Sequence, residues 1–274
     1  LVMKEVLLEV TNLHKSFESV NAVDDVSFDL FRAETLGVVG ESGSGKTTLA
    51  RCILRAIDPD FGTIRFKSQN GWVDLHSLEE NDFVPLRREM QMVFQDPFSS
   101  LNPRMTVRQI IEEPLVIHGE KNKTHRLQLV SQMLDRVQLE KNSLTRYPHA
   151  FSGGQRQRIG IARALVLNPS FIVCDESVSA LDVSVQAQII NLLEDLQEEL
   201  GLTYLFVAHD LAVVRHICDR VLVMRNGKVV ERGNVEKVFS EPQENYTKLL
   251  LSAIPSPDPD IKLNPLDRKS LGLE

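Results

Sequence analysis

Cysteine is scarce in this chain of 274 residues, and its three positions, Cys52, Cys174 and Cys218, lack the spacing of a metal site. All three read as reduced core residues, consistent with the cytosol. Cys174, on an apolar strand beside Asp175, reads as a small hydrophobe and not as a redox centre. No stretch approaches the ~20 consecutive apolar residues that a membrane helix requires, so membrane association is expected to come through a partner. The first residues do not read as a secretory signal. Leu1, where a methionine would start a chain, is expected to mark a trimmed polypeptide or the excised half of a longer one. Positive charge is also in short supply: 31 Lys and Arg against 38 Asp and Glu give a formal net charge of -7. That balance argues against broad attraction to nucleic acid, and none is expected as a partner.

A hydrophobic content of 42% and a charged content of 25% are those of an ordinary soluble globular protein. The length suits one large domain, or one domain with a sizeable insertion.

Gly40-Glu41-Ser42-Gly43-Ser44-Gly45-Lys46-Thr47 fits the pattern G-x-x-x-x-G-K-[ST], with an apolar strand-like run, Thr35 to Val39, entering it and a helix-like segment, Thr47 to Ala56, leaving it. Glycines let the backbone curl with its N–H groups turned toward phosphate oxygens. The helix behind adds a positive dipole end. Lys46 is expected to reach the β- and γ-phosphates of a nucleotide, the Thr47 hydroxyl to sit on Mg2+, and Thr48 to lie nearer the α-phosphate.

Asp175 and Glu176 follow the apolar run Phe171 to Cys174, at what should be the carboxyl edge of a parallel sheet. Neighbours on a strand point to opposite faces, so the two carboxylates can take different roles. Asp175 suits Mg2+ orientation, and Glu176 suits activation of an attacking water. His209, after the strand Tyr204 to Val207, is placed to orient that water or the γ-phosphate. Gln95 ends its own strand, Gln91 to Phe94, and resembles the residues that touch Mg2+ and the attacking water in nucleotide hydrolases, a weak sign by itself. Ser152-Gly153-Gly154-Gln155 opens a helical segment and makes a second helix-end anion site. One ATP does not need two such ends from one side, so this one is expected to grip a nucleotide held by another subunit.

Elsewhere, Val6 to Val10 and Val26 to Phe31 read as strands joined by a variable segment, Thr11 to Asp25. Short strands are expected around the turn Asn70-Gly71, with Trp72 as a packing residue of that lobe. Helical spacing dominates from about 98 to 165 and interrupts an α/β core. A helix over Ser184 to Leu200 with Gly201 as its stop, a helix over Leu211 to Cys218, a hairpin turning at Asn226-Gly227, and a helix near Tyr246 to Ala253 complete the core. The tail beginning Pro255-Ser256-Pro257 is expected to be extended and poorly ordered.

Taken together these strings resemble the nucleotide-binding subunits of ATP-binding cassette (ABC) transporters, over about Val6 to Ala253. The resemblance rests on the Walker A loop, Gln95, Phe151-Ser152-Gly153-Gly154-Gln155, the Walker B strand with Glu176, Ser179-Ala180-Leu181-Asp182 and His209. Phe94-Gln95-Asp96-Pro97, Ser100-Leu101-Asn102-Pro103, Arg146-Tyr147-Pro148-His149 and Leu181 to Gln188 resemble the dipeptide, oligopeptide, glutathione and nickel importer branch. The implied fold is α/β, a P-loop NTPase core of ABC type with an N-terminal antiparallel β lobe and an inserted helical subdomain. The ATPase domain would cover 1–254, with the insertion at about 98–165, and a Pro-rich tail would cover 255–274.

The resemblance implies a head-to-tail pair with a second ABC ATPase subunit, self or paralogue, and two ATP molecules at the interface. It also implies adenine stacking on Phe17 and a nucleotide contact from Asp182. Polytopic permease subunits would dock a coupling helix on the Gln95 loop and the helical insertion, and an external solute-binding protein would act indirectly. The setting would be peripheral, on the cytoplasmic side of the cell membrane. Two departures stand out: Ser177 occupies a position where many members have proline, and no cysteine follows Cys218, so no iron-sulfur extension is expected. The competing readings are a soluble ABC-type ATPase accessory to an enzyme complex such as carbon-phosphorus lyase, and a nucleotide-binding regulator with little turnover.

Overall fold

A computed structural model describes residues 4–253 and Leu266, so the expectation for the proline-rich tail falls almost wholly outside the described residues. In chain order the elements are β1 (Val6–Phe17), β2 (Val20–Phe31), β3 (Thr35–Val39), α1 (Lys46–Ile53), β4 (Phe61–Ser68), β5 (Gly71–Asp74), α2 (Glu80–Phe83), β6 (Met90–Val93) and α3 (Val107–Ile117). There follow α4 (Lys123–Arg136), α5 (Gly153–Leu165), β7 (Phe171–Asp175), α6 (Val183–Leu200), β8 (Thr203–Val207), α7 (Leu211–Ile217), β9 (Arg220–Arg225), β10 (Lys228–Asn234), α8 (Val235–Ser240) and α9 (Asn245–Ser252). The described residues divide into two compact units, one made of 4–67, 72–76 and 205–253, the other of 68–71 and 77–204.

The first unit carries an antiparallel sheet ordered β2-β1-β4-β5. β1 and β2 are longer than their apolar runs, and the segment Thr11 to Asp25 is not a loop but most of a hairpin. The polar residues that hid it sit at register shifts between Val10 and Leu13 and between Leu13 and Lys15, and Asn12, Glu18 and Asp25 have positive φ. Bulges of this kind admit polar residues into a strand and increase its twist. Trp72 is 37% exposed, and the Arg65 guanidinium stacks 5.0 Å from its ring, so it is half packing residue and half surface. In the same unit β3 runs parallel to β9, which pairs antiparallel with β10 through the turn Asn226-Gly227 at φ 49° and 80°. Every residue of β3 is buried, as in strands covered on both faces. α1 stops at Ile53, short of Ala56, because Arg55 turns to φ 49°. The short α8, capped by the Asn234 side chain, carries no signal that the sequence pattern exposes.

In the second unit β6 and β7 pair in parallel, Met90 opposite Phe171 and Val93 opposite Cys174. α5 packs on β6, and α3, α4 and α6 pack on α5; their apolar stripes supply Ile111, Leu134, Ile159 and Leu193 to the core. α6 ends where expected, with Gly201 at φ 64°. All three cysteines are free and buried, as their scattered placement suggests.

Candidate functional site

The phosphate loop lies in the first unit, between β3 and α1. Gly40 and Gly45 hold φ of 152° and 104°, and a Cβ on either would meet backbone: the Met224 carbonyl oxygen at 2.2 Å and the Ala22 carbonyl oxygen at 1.9 Å. Those two glycines are therefore demanded by the strands around the loop. Gly43, at φ 80°, has open space where a Cβ would stand, with nothing within 4 Å, and keeps its backbone free to approach. Lys46 is 4% exposed, and its ammonium donates to the carbonyl oxygens of Gly40 at 2.8 Å and Glu41 at 2.9 Å. No side chain caps α1 and no acidic residue stands in its first turn, so the positive end of the helix adds to the ammonium's charge. Glu41, Ser42, Ser44, Thr47 and Thr48 complete the loop and the first turn, an arrangement suited to a polyphosphate.

Two braces of this loop escape any reading of spacing. The Glu41 N–H donates to the Tyr246 hydroxyl at 3.0 Å, and the Gly227 N–H donates to the Ser44 carbonyl at 3.0 Å. Tyr246 is buried, with the Arg225 guanidinium 5.1 Å from its ring. Phe17 closes β1 and is 46% exposed, with the Lys15 ammonium 5.4 Å from its ring and tied to Asp60 at 2.8 Å. Phe17 is therefore a surface residue and no part of the core. His209 is exposed between β8 and α7, beside Asp210, which caps α7 by accepting from the Ala212 N–H at 2.9 Å.

The carboxylates lie in the second unit. Asp175, 5% exposed, ends β7, and Glu176 leaves the strand at once with φ 46°. Strand alternation is therefore not what separates them; a turn is. Ser179 closes that turn, its N–H and its hydroxyl donating to the Glu176 carbonyl at 3.0 Å and 2.9 Å. Gln95, far away in sequence, donates its side-chain N–H to Glu176 Oε2 at 2.7 Å. Burial drives the adjacent Cys174 thiol up to about 12, which keeps it protonated and inert.

Ser152 caps α5, accepting from the Gln155 N–H at 3.3 Å while the Gln155 side chain accepts from the Ser152 N–H at 3.1 Å. A Cβ on Gly154 would sit 2.4 Å from Val185 Cγ1, and one on Gly153 3.2 Å from Leu181 Cδ2. The glycine pair thus lets the start of α5 close on the segment leading into α6. Asp182 caps α6, accepting from the Ser184 hydroxyl at 2.7 Å and the Val185 N–H at 3.0 Å, and these bonds hold its carboxyl below the usual range.

The loop between β3 and α1 is shaped for polyphosphate, and the comparison with known families bears on its use. The ABC transporter family model matches residues 23–179. This chain belongs to the ABC transporter family. Membership makes it an ATP-binding ATPase domain. It is 53% identical over 260 residues to a putative peptide import ATP-binding protein of Brucella ovis, covering 93% of this chain and 81% of the relative. It is 51% identical over 273 residues to the oligopeptide transport ATP-binding protein OppF of Bacillus subtilis, covering 97% and 88%. Among solved structures, cbiO1 of Clostridium perfringens, part of the ABC transporter complex cbiONQ, superposes with a TM-score of 0.77 at 29% identity over 87% of this chain and 92% of that one. A dimeric ATP-binding cassette in a post-hydrolysis state with ADP and Pi gives 0.73 at 29% identity over 84% and 99%.

Proposed function

We propose that the chain is the ATP-hydrolysing subunit of an importer, coupling hydrolysis to uptake of small peptides or a related solute from a peripheral position on the cytoplasmic side of the membrane. The observation that carries this is identity of 51–53% across more than nine-tenths of the chain to proteins named for peptide import. Those names give no support to a soluble enzyme accessory. Among the described residues no helix is long and apolar enough to cross a membrane, so polytopic permease subunits would supply the path and, with an external binding protein, select the solute.

In this reading Gly40 to Thr48 cradle the phosphates, Lys46 neutralises the β- and γ-phosphates, and Phe17 stacks on adenine. Glu176 accepts the proton of the attacking water, while Gln95 and His209 orient that water and the γ-phosphate. Ser152, Gly153, Gly154, Gln155 and Asp182 serve the nucleotide of a second ATPase subunit, a copy or a paralogue. Among the described residues no three His, Cys, Asp or Glu gather into a metal cage, which suits a cation held by one carboxylate and the substrate's own phosphates. Thr47, Gln95 and Asp175 are the oxygen donors proposed for Mg2+, which when bound supplies charge neutralisation across the β- and γ-phosphates.

Co-expression with candidate polytopic permease subunits tests the reading. Co-purification and solute-stimulated ATPase activity in vesicles are expected; isolation with soluble phosphonate enzymes instead would contradict it.

A further inference from the structure

We propose that Ser179 is a positioning residue for the hydrolytic step, fixing Glu176 and Gln95 relative to each other; the inference rests on Glu176 being the general base. Glu176 is a non-glycine residue at φ 46°, a sparsely populated conformation that persists only where surrounding contacts determine it. Ser179 supplies those contacts, its N–H at 3.0 Å and its hydroxyl at 2.9 Å from the Glu176 carbonyl oxygen.

The same hydroxyl oxygen lies 3.5 Å from Gln95 Nε2, at the limit of hydrogen bonding, and that nitrogen is 2.7 Å from Glu176 Oε2. A hydroxyl has one proton and two lone pairs, so Ser179 can donate to the carbonyl and still accept from the amide. The Gln95 NH2 group thus faces two acceptors, the carboxylate and the hydroxyl. The turn is itself anchored. Gln186 of α6 donates to the Val178 carbonyl at 3.0 Å, the Leu181 N–H to the same oxygen at 3.1 Å, and Val178 is 4% exposed. Ser179 therefore joins the anchored turn to the one carboxylate and the one amide that must be aligned with an attacking water.

The prediction is a loss of rate without a loss of nucleotide. Ser179→Ala should lower kcat about fivefold, the factor carried by one net hydrogen bond of ~1 kcal/mol, at an unchanged Kd for ATP. Ser179→Thr, which keeps the hydroxyl, should restore kcat to within about twofold of the parent. Should Ser179→Ala not fold, Ser179→Cys keeps the volume, lacks a strong donor and should show the same loss. Parental turnover in the Ala or Cys variant, equal impairment of the Thr variant, or ATP affinity falling in step with kcat would each overturn the proposal. Glu176→Gln, measured in parallel, separates the two levels. If it hydrolyses ATP at the parental rate the base assignment falls and this inference with it. If it is inactive while Ser179→Ala is unimpaired, Ser179 alone falls.

Discussion

Gly45→Ala and Gly71→Ala impose nearly the same backbone demand in different surroundings. Their φ angles are 104° and 110°, so an L-residue at either costs about 1–2 kcal/mol. At Gly71 a Cβ meets nothing within 4 Å, and the cost ends there. At Gly45 it would sit 1.9 Å from the Ala22 carbonyl oxygen and 3.3 Å from the Met224 methyl. A backbone carbonyl within β2 has little room to give, so overpacking adds about 1–3 kcal/mol. Gly45→Ala should therefore lose about 2–5 kcal/mol, or distort the loop to avoid the contact, while Gly71→Ala loses about 1–2 kcal/mol. Urea unfolding of both variants, with ATP titration of each, reads the difference. ATP affinity should drop for Gly45→Ala and stay parental for Gly71→Ala. Equal destabilisation together with equal ATP affinity would refute the argument that β2 and β9 dictate the glycines of the phosphate loop.

Other outcomes follow from the same contacts. Lys46→Ala removes the ammonium seated under the loop and should weaken ATP binding at least tenfold by equilibrium titration, a loss of about 1.4 kcal/mol or more; unchanged affinity would count against the loop. Cys52 and Cys174, whose thiols burial raises to about 11 and about 12, should resist a thiol reagent at pH 8 in the native protein and react on unfolding. Burial pushes the Glu112 carboxyl up, but the guanidinium groups of Arg126 and Arg108 outweigh that and hold it below its ordinary 4.5. A depressed carboxyl stabilises the fold above the unfolded pKa and stops doing so as pH falls through the folded one. Glu112→Gln should thus cost about 1–3 kcal/mol at pH 7 and progressively less below pH ~4.5, as measured by urea unfolding across that range.

The parts of this molecule that showed in its sequence are those whose signal is local. The loop from Gly40 to Thr47, the buried strand ending at Asp175, the Ser152 cap with Gln155 three residues on, and the Gly201 stop each carry residue types that a single turn or strand end demands. What did not show depends on partners distant in the chain. The Glu41 contact with Tyr246 spans 205 residues and that of Gln95 with Glu176 spans 81, so no spacing rule reaches them. The β1–β2 hairpin was hidden for another reason: its bulges place Asn12, His14 and Lys15 where alternation fails, and polar residues there imitate a loop. Alternation also misjudged the carboxylates, since a strand pattern cannot reveal that β7 stops at Asp175 and that Glu176 turns to positive φ.

The central claim, an ATP clamped between the phosphate loop of one subunit and the Ser152 to Gln155 helix end of another, is most directly tested by sedimentation of the Glu176→Gln chain with ATP and Mg2+, alone and mixed with a candidate paralogous ATPase subunit. Pairing that requires nucleotide and vanishes in Lys46→Ala is the predicted result. A chain that binds ATP and stays single in both mixtures would contradict it.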